Sequence, residues 1–149
     1  MRRPLVAAAL AGALLAAGCG ERQVVVRDDG GRVLVAARLP DSGRFALEYR
    51  HSYYRVPARE EFRARGSAFR MVEVGSPSEA VLDYYEIAGA KRLGPWSTLA
   101  PTHPLSFERL PLIATAKGRR TLAVGGRRYP LYGAAPRHLT IAIEEGTWP

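Results

Sequence analysis

Residues 44–65, RFALEYRHSYYRVPAREEFRAR, contain the clearest structural pattern of the chain. Apolar and polar residues alternate along 44–52 and again along 56–65, which is the period of a β-strand with one buried face. Residues 53–55 join the two segments as a bend. The stretch therefore predicts an antiparallel hairpin that turns one face toward a core.

Apolar and polar residues also alternate in the sequence on both sides of this hairpin. Turn sequences such as Asp28-Asp29-Gly30-Gly31 and Gly125-Gly126 separate short apolar runs. The predicted strands are 23–27, 32–38, 44–52, 56–65, 69–74, 110–116, 119–124, 127–131 and 139–144. Eight or nine short strands with regular turns predict an all-β fold, either an antiparallel β-sandwich or an open barrel.

One short helix is the most that the pattern allows. Ser76-Pro77-Ser78-Glu79 has the spacing of a capping box with proline at the first helical position, which predicts a helix over 77–85. A turn is the alternative there. Residues 87–103 are rich in glycine and proline and predict a long loop.

The first residues of the chain have the plan of an export signal. Met1-Arg2-Arg3-Pro4 is basic, residues 5–17 are apolar, and Ala16-Ala17-Gly18-Cys19 resembles a bacterial lipobox. We expect residues 1–18 to be a cleaved lipoprotein signal peptide and Cys19 to be lipidated. The alternatives are a plain secretory signal and a retained N-terminal anchor. Residues 19–31 would form a tether and the first strand, and 32–149 a single β domain. The expected location is extracytoplasmic, at the outer face of the cytoplasmic membrane or at the outer membrane.

Composition excludes several classes of protein. The chain has 149 residues, a formal net charge of +8 and one cysteine, so no disulfide can form within it once Cys19 is lipidated. A nucleic-acid partner is not expected outside the membrane, and no binding motif is present. The three histidines stand far apart without ligands at metal-binding spacing, so neither a metal nor a cofactor is predicted.

The predicted hairpin places two ionisable residues on its inner face. His51 follows Phe45, Leu47 and Tyr49 on one strand, and Glu60 lies among apolar residues on the next. A buried carboxylate needs a partner, and a charged imidazole would serve. The pair is either a structural clasp or the floor of a ligand pocket.

The pocket interpretation adds flanking residues, namely Arg50, Tyr53 and Tyr54. Catalysis is the least favoured interpretation. Ser52 and His51 are adjacent, so their side chains point to opposite faces of a strand and form no dyad. We therefore do not expect an enzyme.

Two further features leave alternatives open. Arg119, Arg120, Arg127 and Arg128 cluster at the ends of a predicted hairpin, either as a solvated edge or as a contact for anionic headgroups or an acidic partner. Trp96 is either a loop anchor or an exposed binding aromatic.

The segment Tyr49-Arg50-His51-Ser52-Tyr53, followed by Pro57-Ala58-Arg59-Glu60, resembles the signature of the bacterial family DUF eighteen-fifty. The positions that mark this family fall on His51, Ser52 and Glu60, with Ala58 where valine is usual. The resemblance extends over about 33–144. It departs at Lys91-Arg92-Leu93, where a proline is expected.

The resemblance implies a context rather than an activity. Such proteins are small exported domains commonly encoded beside TRAP transporters of the TAXI type. It implies an accessory or binding role toward a permease or a solute receptor, with a small organic acid or amino acid as ligand. The alternative is a structural envelope lipoprotein with no transport role, in which His51 and Glu60 clasp the fold.

Overall fold

The computed structural model describes residues 21–146. The predicted signal peptide and Cys19 lie outside the described residues. Residues 21–146 form twelve strands and one short helix, namely β1 (Glu21–Asp28), β2 (Val33–Arg38), β3 (Arg44–Arg50), β4 (Pro57–Arg65), β5 (Ala68–Ser76), α1 (Glu79–Tyr84), β6 (Gly89–Arg92), β7 (Ser97–Pro101), β8 (Ser106–Phe107), β9 (Arg109–Ala114), β10 (Thr121–Val124), β11 (Arg127–Pro130) and β12 (Arg137–Gly146). No helix in this range is long and apolar enough to cross a membrane.

The strands form two antiparallel sheets. The smaller sheet has the order β2-β1-β12-β9, so β1 and β12 are its inner strands. The larger sheet has the order β11-β10-β3-β4-β5-β7-β6, and β8 pairs with β5 beside this path. The strands β3 and β4, which lie within residues 44–65, are in the middle of the larger sheet.

The core lies between the two sheets. Phe45 and Phe62 face each other across β3 and β4 and stack with ring centroids 5.2 Å apart. Phe69 of β5 meets Phe45 edge-on, also at 5.2 Å. Val24 and Ile141 of the smaller sheet are fully buried in the same apolar cluster. The predicted all-β sandwich is confirmed.

The nine predicted strands all form, but three more were missed. The predicted loop over 87–103 is wrong in part, because β6 and β7 make a hairpin there that extends the larger sheet. Every residue of β6 is exposed, so no alternation of burial marks this strand. The strand β8 has only two residues, too few to show the alternation of apolar and polar residues from which a strand is predicted.

The helix also differs from its prediction, since it begins at Glu79 rather than at Pro77. The reason is that Ser76 is still the last residue of β5. Its hydroxyl donates to the carbonyl of Pro57 and accepts from the amide of Ser78. Ser76 therefore ends a strand and does not cap the helix.

Phe62→Ala tests the core. Because Phe62 is fully buried among three aromatic rings, we expect a loss of about 3–5 kcal/mol in the free energy of unfolding, measured by chemical denaturation. Tyr53→Ala is the control, since Tyr53 is 76% exposed. Equal effects of the two changes would contradict this packing.

Candidate functional site

The register of β3 and β4 fixes where the chemically active residues stand. Glu60 lies opposite Leu47, and Ala58 lies opposite Tyr49. His51 is beyond the last paired residue of β3, where its amide donates to the carbonyl of Val56 at 2.8 Å. His51 and Glu60 are therefore about 13 Å apart along the strand direction.

Glu60 has tyrosine partners instead of histidine. The hydroxyl of Tyr85, one residue after α1, donates to Glu60 Oε1. The hydroxyls of Tyr85 and Tyr49 are also hydrogen-bonded to each other. Because a hydroxyl has one hydrogen, Tyr49 donates to Tyr85 when Tyr85 donates to Glu60. The three side chains form a chain of hydrogen bonds that ends on the carboxyl group.

Burial shifts the pKa values of all three groups upward. Desolvation raises the pKa of Glu60, although its hydrogen bond from Tyr85 and the charge of Arg120 oppose this shift. Burial and the charge of Glu60 raise the pKa of Tyr49 to about 12, and the same two causes raise the pKa of Tyr85. The site thus favours a protonated, uncharged cluster.

Arg120 brings a fixed positive charge to this cluster. Its Nε donates to the carbonyl of Ile113 at 3.2 Å, which ties it to the smaller sheet. Its guanidinium carbon lies 4.9 Å from the centroid of the Tyr49 ring, within the range of a cation–π contact. Within residues 21–146 Arg120 forms no ion pair, although its charge lowers the pKa of Glu60, whose uncharged form burial favours.

His51 is held as a neutral ring. It is only 5% exposed and packs edge-on against Tyr84 at 4.8 Å between ring centroids. Its Nδ1 accepts a hydrogen bond from the amide of Tyr54 at 3.3 Å. Burial lowers the pKa of His51, which is opposite to the predicted stabilisation of the charged imidazole by Glu60.

These residues line a cleft of about 500 Å³ at one end of the sandwich. We call it the solute cleft. Its walls come from the end of β3, from β4, from the residues around the end of α1 and from the segment that joins β9 to β10. The lining residues are Tyr49, Arg50, His51, Ser52, Glu60, Tyr84, Tyr85, Ile113, Thr115, Gly118 and Arg120.

The predicted site residues are brought together in part. His51, Ser52, Glu60 and Arg50 all line the solute cleft. The predicted direct contact between His51 and Glu60 is wrong. Within residues 21–146, His51 accepts a hydrogen bond from the amide of Tyr54, whereas Glu60 accepts one from the hydroxyl of Tyr85. Tyr53 and Tyr54 do not line the cleft. Their rings pack edge-on against each other, and the Tyr54 ring also packs against His51 at 5.2 Å between ring centroids.

The sequence did not reveal the roles of Tyr85 and Arg120. Tyr85 is the last residue of the helix predicted over 77–85, and no local pattern marks its hydroxyl as a partner of Glu60. Arg120 immediately precedes Thr121, which pairs with Glu48, so Arg120 reaches the Tyr49 ring only because β10 pairs with β3. That pairing joins residues far apart in the chain, and no local pattern signals it.

The described residues contain no group of three or more histidine, cysteine, aspartate or glutamate side chains that would hold a metal ion. His103 and His138 are exposed and lie apart from the solute cleft. The arrangement is suited to binding a polar solute through hydrogen bonds and one fixed charge.

Comparison with protein-family models, with curated proteins and with solved structures finds no match to this chain. The resemblance to DUF eighteen-fifty therefore stays a prediction that rests on the residues around His51 and Glu60.

Glu60→Gln tests the environment of the carboxyl group. A raised pKa in the folded chain means that folding favours protonated Glu60, so its contribution to stability is present below about pH 4.3 and is lost as the pH rises. We expect the glutamine variant to lose less stability than the wild type between about pH 4.3 and pH 7, in denaturation measured at several pH values. The control is Glu108→Gln, an exposed residue outside the cleft. Parallel pH profiles for the wild type and Glu60→Gln would contradict the buried site.

His51→Gln tests a pH dependence of stability that is opposite to that of Glu60. Since burial lowers the pKa of His51, its contribution to stability is present above about pH 6.5 and is lost on acidification. We expect the glutamine variant to lose less stability than the wild type between about pH 7 and pH 5.5. His103→Gln, in an exposed loop, should keep the wild-type profile. A steeper loss in His51→Gln would show that the ring is charged in the fold.

Proposed function

We propose that this chain is an exported, membrane-tethered binding protein that holds a small organic acid in the solute cleft. The observation that carries the proposal is Arg120, a guanidinium fixed between two sheets without an ion-pair partner in residues 21–146. A guanidinium group presents paired donors that match the two oxygens of a carboxylate. Holding that group in place before binding reduces the entropy lost on association.

The other polar groups of the cleft suit the rest of such a ligand. Glu60 and Tyr85 offer oxygen atoms beside Arg120, and the neutral ring of His51 lines the same space. Glu60 and Tyr85 can accept hydrogen bonds from a hydroxyl or an ammonium group. The neutral His51 ring, whose Nδ1 accepts from the amide of Tyr54, can donate through its Nε2. A hydroxy acid or an amino acid therefore fits the arrangement as well as a simple carboxylic acid.

A second groove, of about 430 Å³, adjoins the solute cleft and shares Glu60, Ile113 and Arg120 with it. The remaining side chains that line it are apolar, among them Phe107, Leu110 and Met71. An acid with an apolar portion would place its carboxylate at Arg120 and its hydrocarbon in this groove, where burial of apolar surface adds affinity. The geometry therefore favours acids that have an apolar part.

The tether and the transporter partner rest on sequence features. Lipidated Cys19 would hold the domain at a membrane outside the cytoplasm. The resemblance to DUF eighteen-fifty then supports an accessory role beside a TAXI-type TRAP transporter, with the bound acid delivered to, or sensed for, the permease or its solute receptor.

A structural role is the second candidate, and one observation favours it. The hydrogen bond from Tyr85 to Glu60 ties the end of α1 to the middle of the larger sheet. In that case the clasp of the fold is Tyr85 with Glu60, in place of the predicted His51 with Glu60. A purely structural envelope lipoprotein would use this contact for stability and would bind no solute.

Arg120→Gln distinguishes solute binding from a purely structural role. We expect calorimetric titration of the full chain with succinate, glutamate and hexanoate to detect binding of at least one acid, and Arg120→Gln to weaken it about 10-fold to 100-fold, the effect of losing a hydrogen bond to a charged group. Arg65→Gln removes the same charge from an exposed position outside the cleft and should bind like the wild type. Absence of binding for all three acids, or equal affinities in the two variants, would favour the structural role.

The transporter association has its own test. Affinity purification of the tagged chain from its own membranes should recover a TRAP permease or a solute receptor in a defined proportion. A Cys19→Ser variant, which cannot be lipidated, should recover less of the permease. Recovery of neither protein would contradict the partner while leaving the solute proposal in place.

A further inference from the structure

We propose a second ligand site, for a phosphate group, on the outer face of the larger sheet. It is a cleft of about 600 Å³ on the opposite side of β3 from the Phe45–Phe62 core. We call it the arginine cleft, because Arg50, Arg55, Arg59, Arg119 and Arg128 all line it. This inference is independent of solute binding at Arg120.

The arginine cleft has an uncompensated positive charge. Glu48 is the single acidic residue among its lining residues, and it forms ion pairs with Arg59 and Arg128. Arg59 is also paired to Glu61, at 3.0 Å. Arg55 and Arg119 form no ion pair in the described part of the chain. Five guanidinium groups around one carboxylate attract an anion strongly.

The floor of the cleft is shaped by one row of residues across the sheet. Thr121 pairs with Glu48, Glu48 with Arg59, and Arg59 with Gly75. The indole of Trp96 lies directly over Gly75, since a Cβ built there would stand 2.3 Å from the indole nitrogen. Trp96 thereby forms one wall of the cleft while staying 44% exposed. The glycine permits a concave surface on what would otherwise be a flat sheet face.

Two of the arginines stand on an unusual backbone. Arg55 has a φ of 59° and Arg119 a φ of 52°, in the left-handed region that glycine and asparagine adopt more readily. Each turn is closed by a backbone hydrogen bond, from the amide of Arg55 to His51 and from the amide of Arg119 to Thr115. The fold alone needs no arginine at either position. Both side chains add positive charge to the cleft and form no ion pair in residues 21–146.

The number and directions of the donors favour phosphate over carboxylate. The arginines come from β3, β4, β11 and two separate turns, so they border the cleft on several sides. A carboxylate has two oxygens in one plane and is satisfied by one or two guanidinium groups. A phosphate has oxygens arranged in a tetrahedron and accepts from several groups at once. The source is either a free phosphate or the headgroup of an anionic phospholipid beside the tethered domain.

The test is a calorimetric titration of the full chain with inorganic phosphate, in the presence of nanodiscs made of phosphatidylcholine. The variant Arg55→Asn/Arg119→Asn removes two charges without leaving an acid unpaired, and asparagine tolerates the left-handed backbone. The matched control is Arg65→Asn/Arg109→Asn, which removes two exposed arginines outside the cleft. We expect phosphate binding that weakens at least about tenfold in the cleft variant and stays unchanged in the control and in Arg120→Gln.

Two further titrations identify the source of the phosphate group and distinguish phosphate binding from carboxylate binding. Phosphatidylglycerol added to the nanodiscs should weaken phosphate binding if its headgroup occupies the cleft, and leave it unchanged if the ligand is free phosphate. Either result supports the site. No phosphate binding, equal weakening in the cleft variant and its control, or succinate binding that is as strong as phosphate binding and as sensitive to the cleft variant, would overturn it.

Discussion

The stack of Phe45 on Phe62 across β3 and β4 is the contact on which the rest of this molecule depends. Aromatic burial on this scale dominates the stability of a small core that no disulfide supports. It also fixes the register of the central hairpin, because a slip by one residue would turn Phe62 to solvent and an arginine into the core. The same register places Glu60 on the buried face, between Ala58 and Phe62.

Both proposed sites follow from that register. Strand alternation sends Glu60 and Tyr49 to the inner face, where burial raises their pKa values and Tyr85 joins them. The same alternation sends Glu48 and Arg59 to the outer face, where they begin the floor of the arginine cleft. One hairpin therefore supplies a polar cluster, whose uncharged form burial favours, on one side of the sheet and a positively charged surface on the other.

The sequence predicted the parts that depend on local pattern. The alternation in 44–65 placed Glu60 on the inner face correctly, and Gly125-Gly126 marked a tight turn that forms as expected. Such local patterns do not predict contacts between segments that are distant in the chain. The position of Arg120 depends on β10 pairing with β3, and the packing of Trp96 over Gly75 depends on a hairpin whose outer strand is fully exposed. The predicted clasp failed for a related reason, since alternation gives the face of His51 but not its distance from Glu60.

We propose that the solute cleft holds an organic acid and that the fold is stable through its own core without this ligand. Native mass spectrometry of the full chain, released gently from its own membranes, tests this most directly. We expect the wild type to carry a small acid in about one-to-one proportion, and Arg120→Gln to appear folded but empty. A ligand-free wild type, or an Arg120→Gln variant that retains the same acid, would contradict the account.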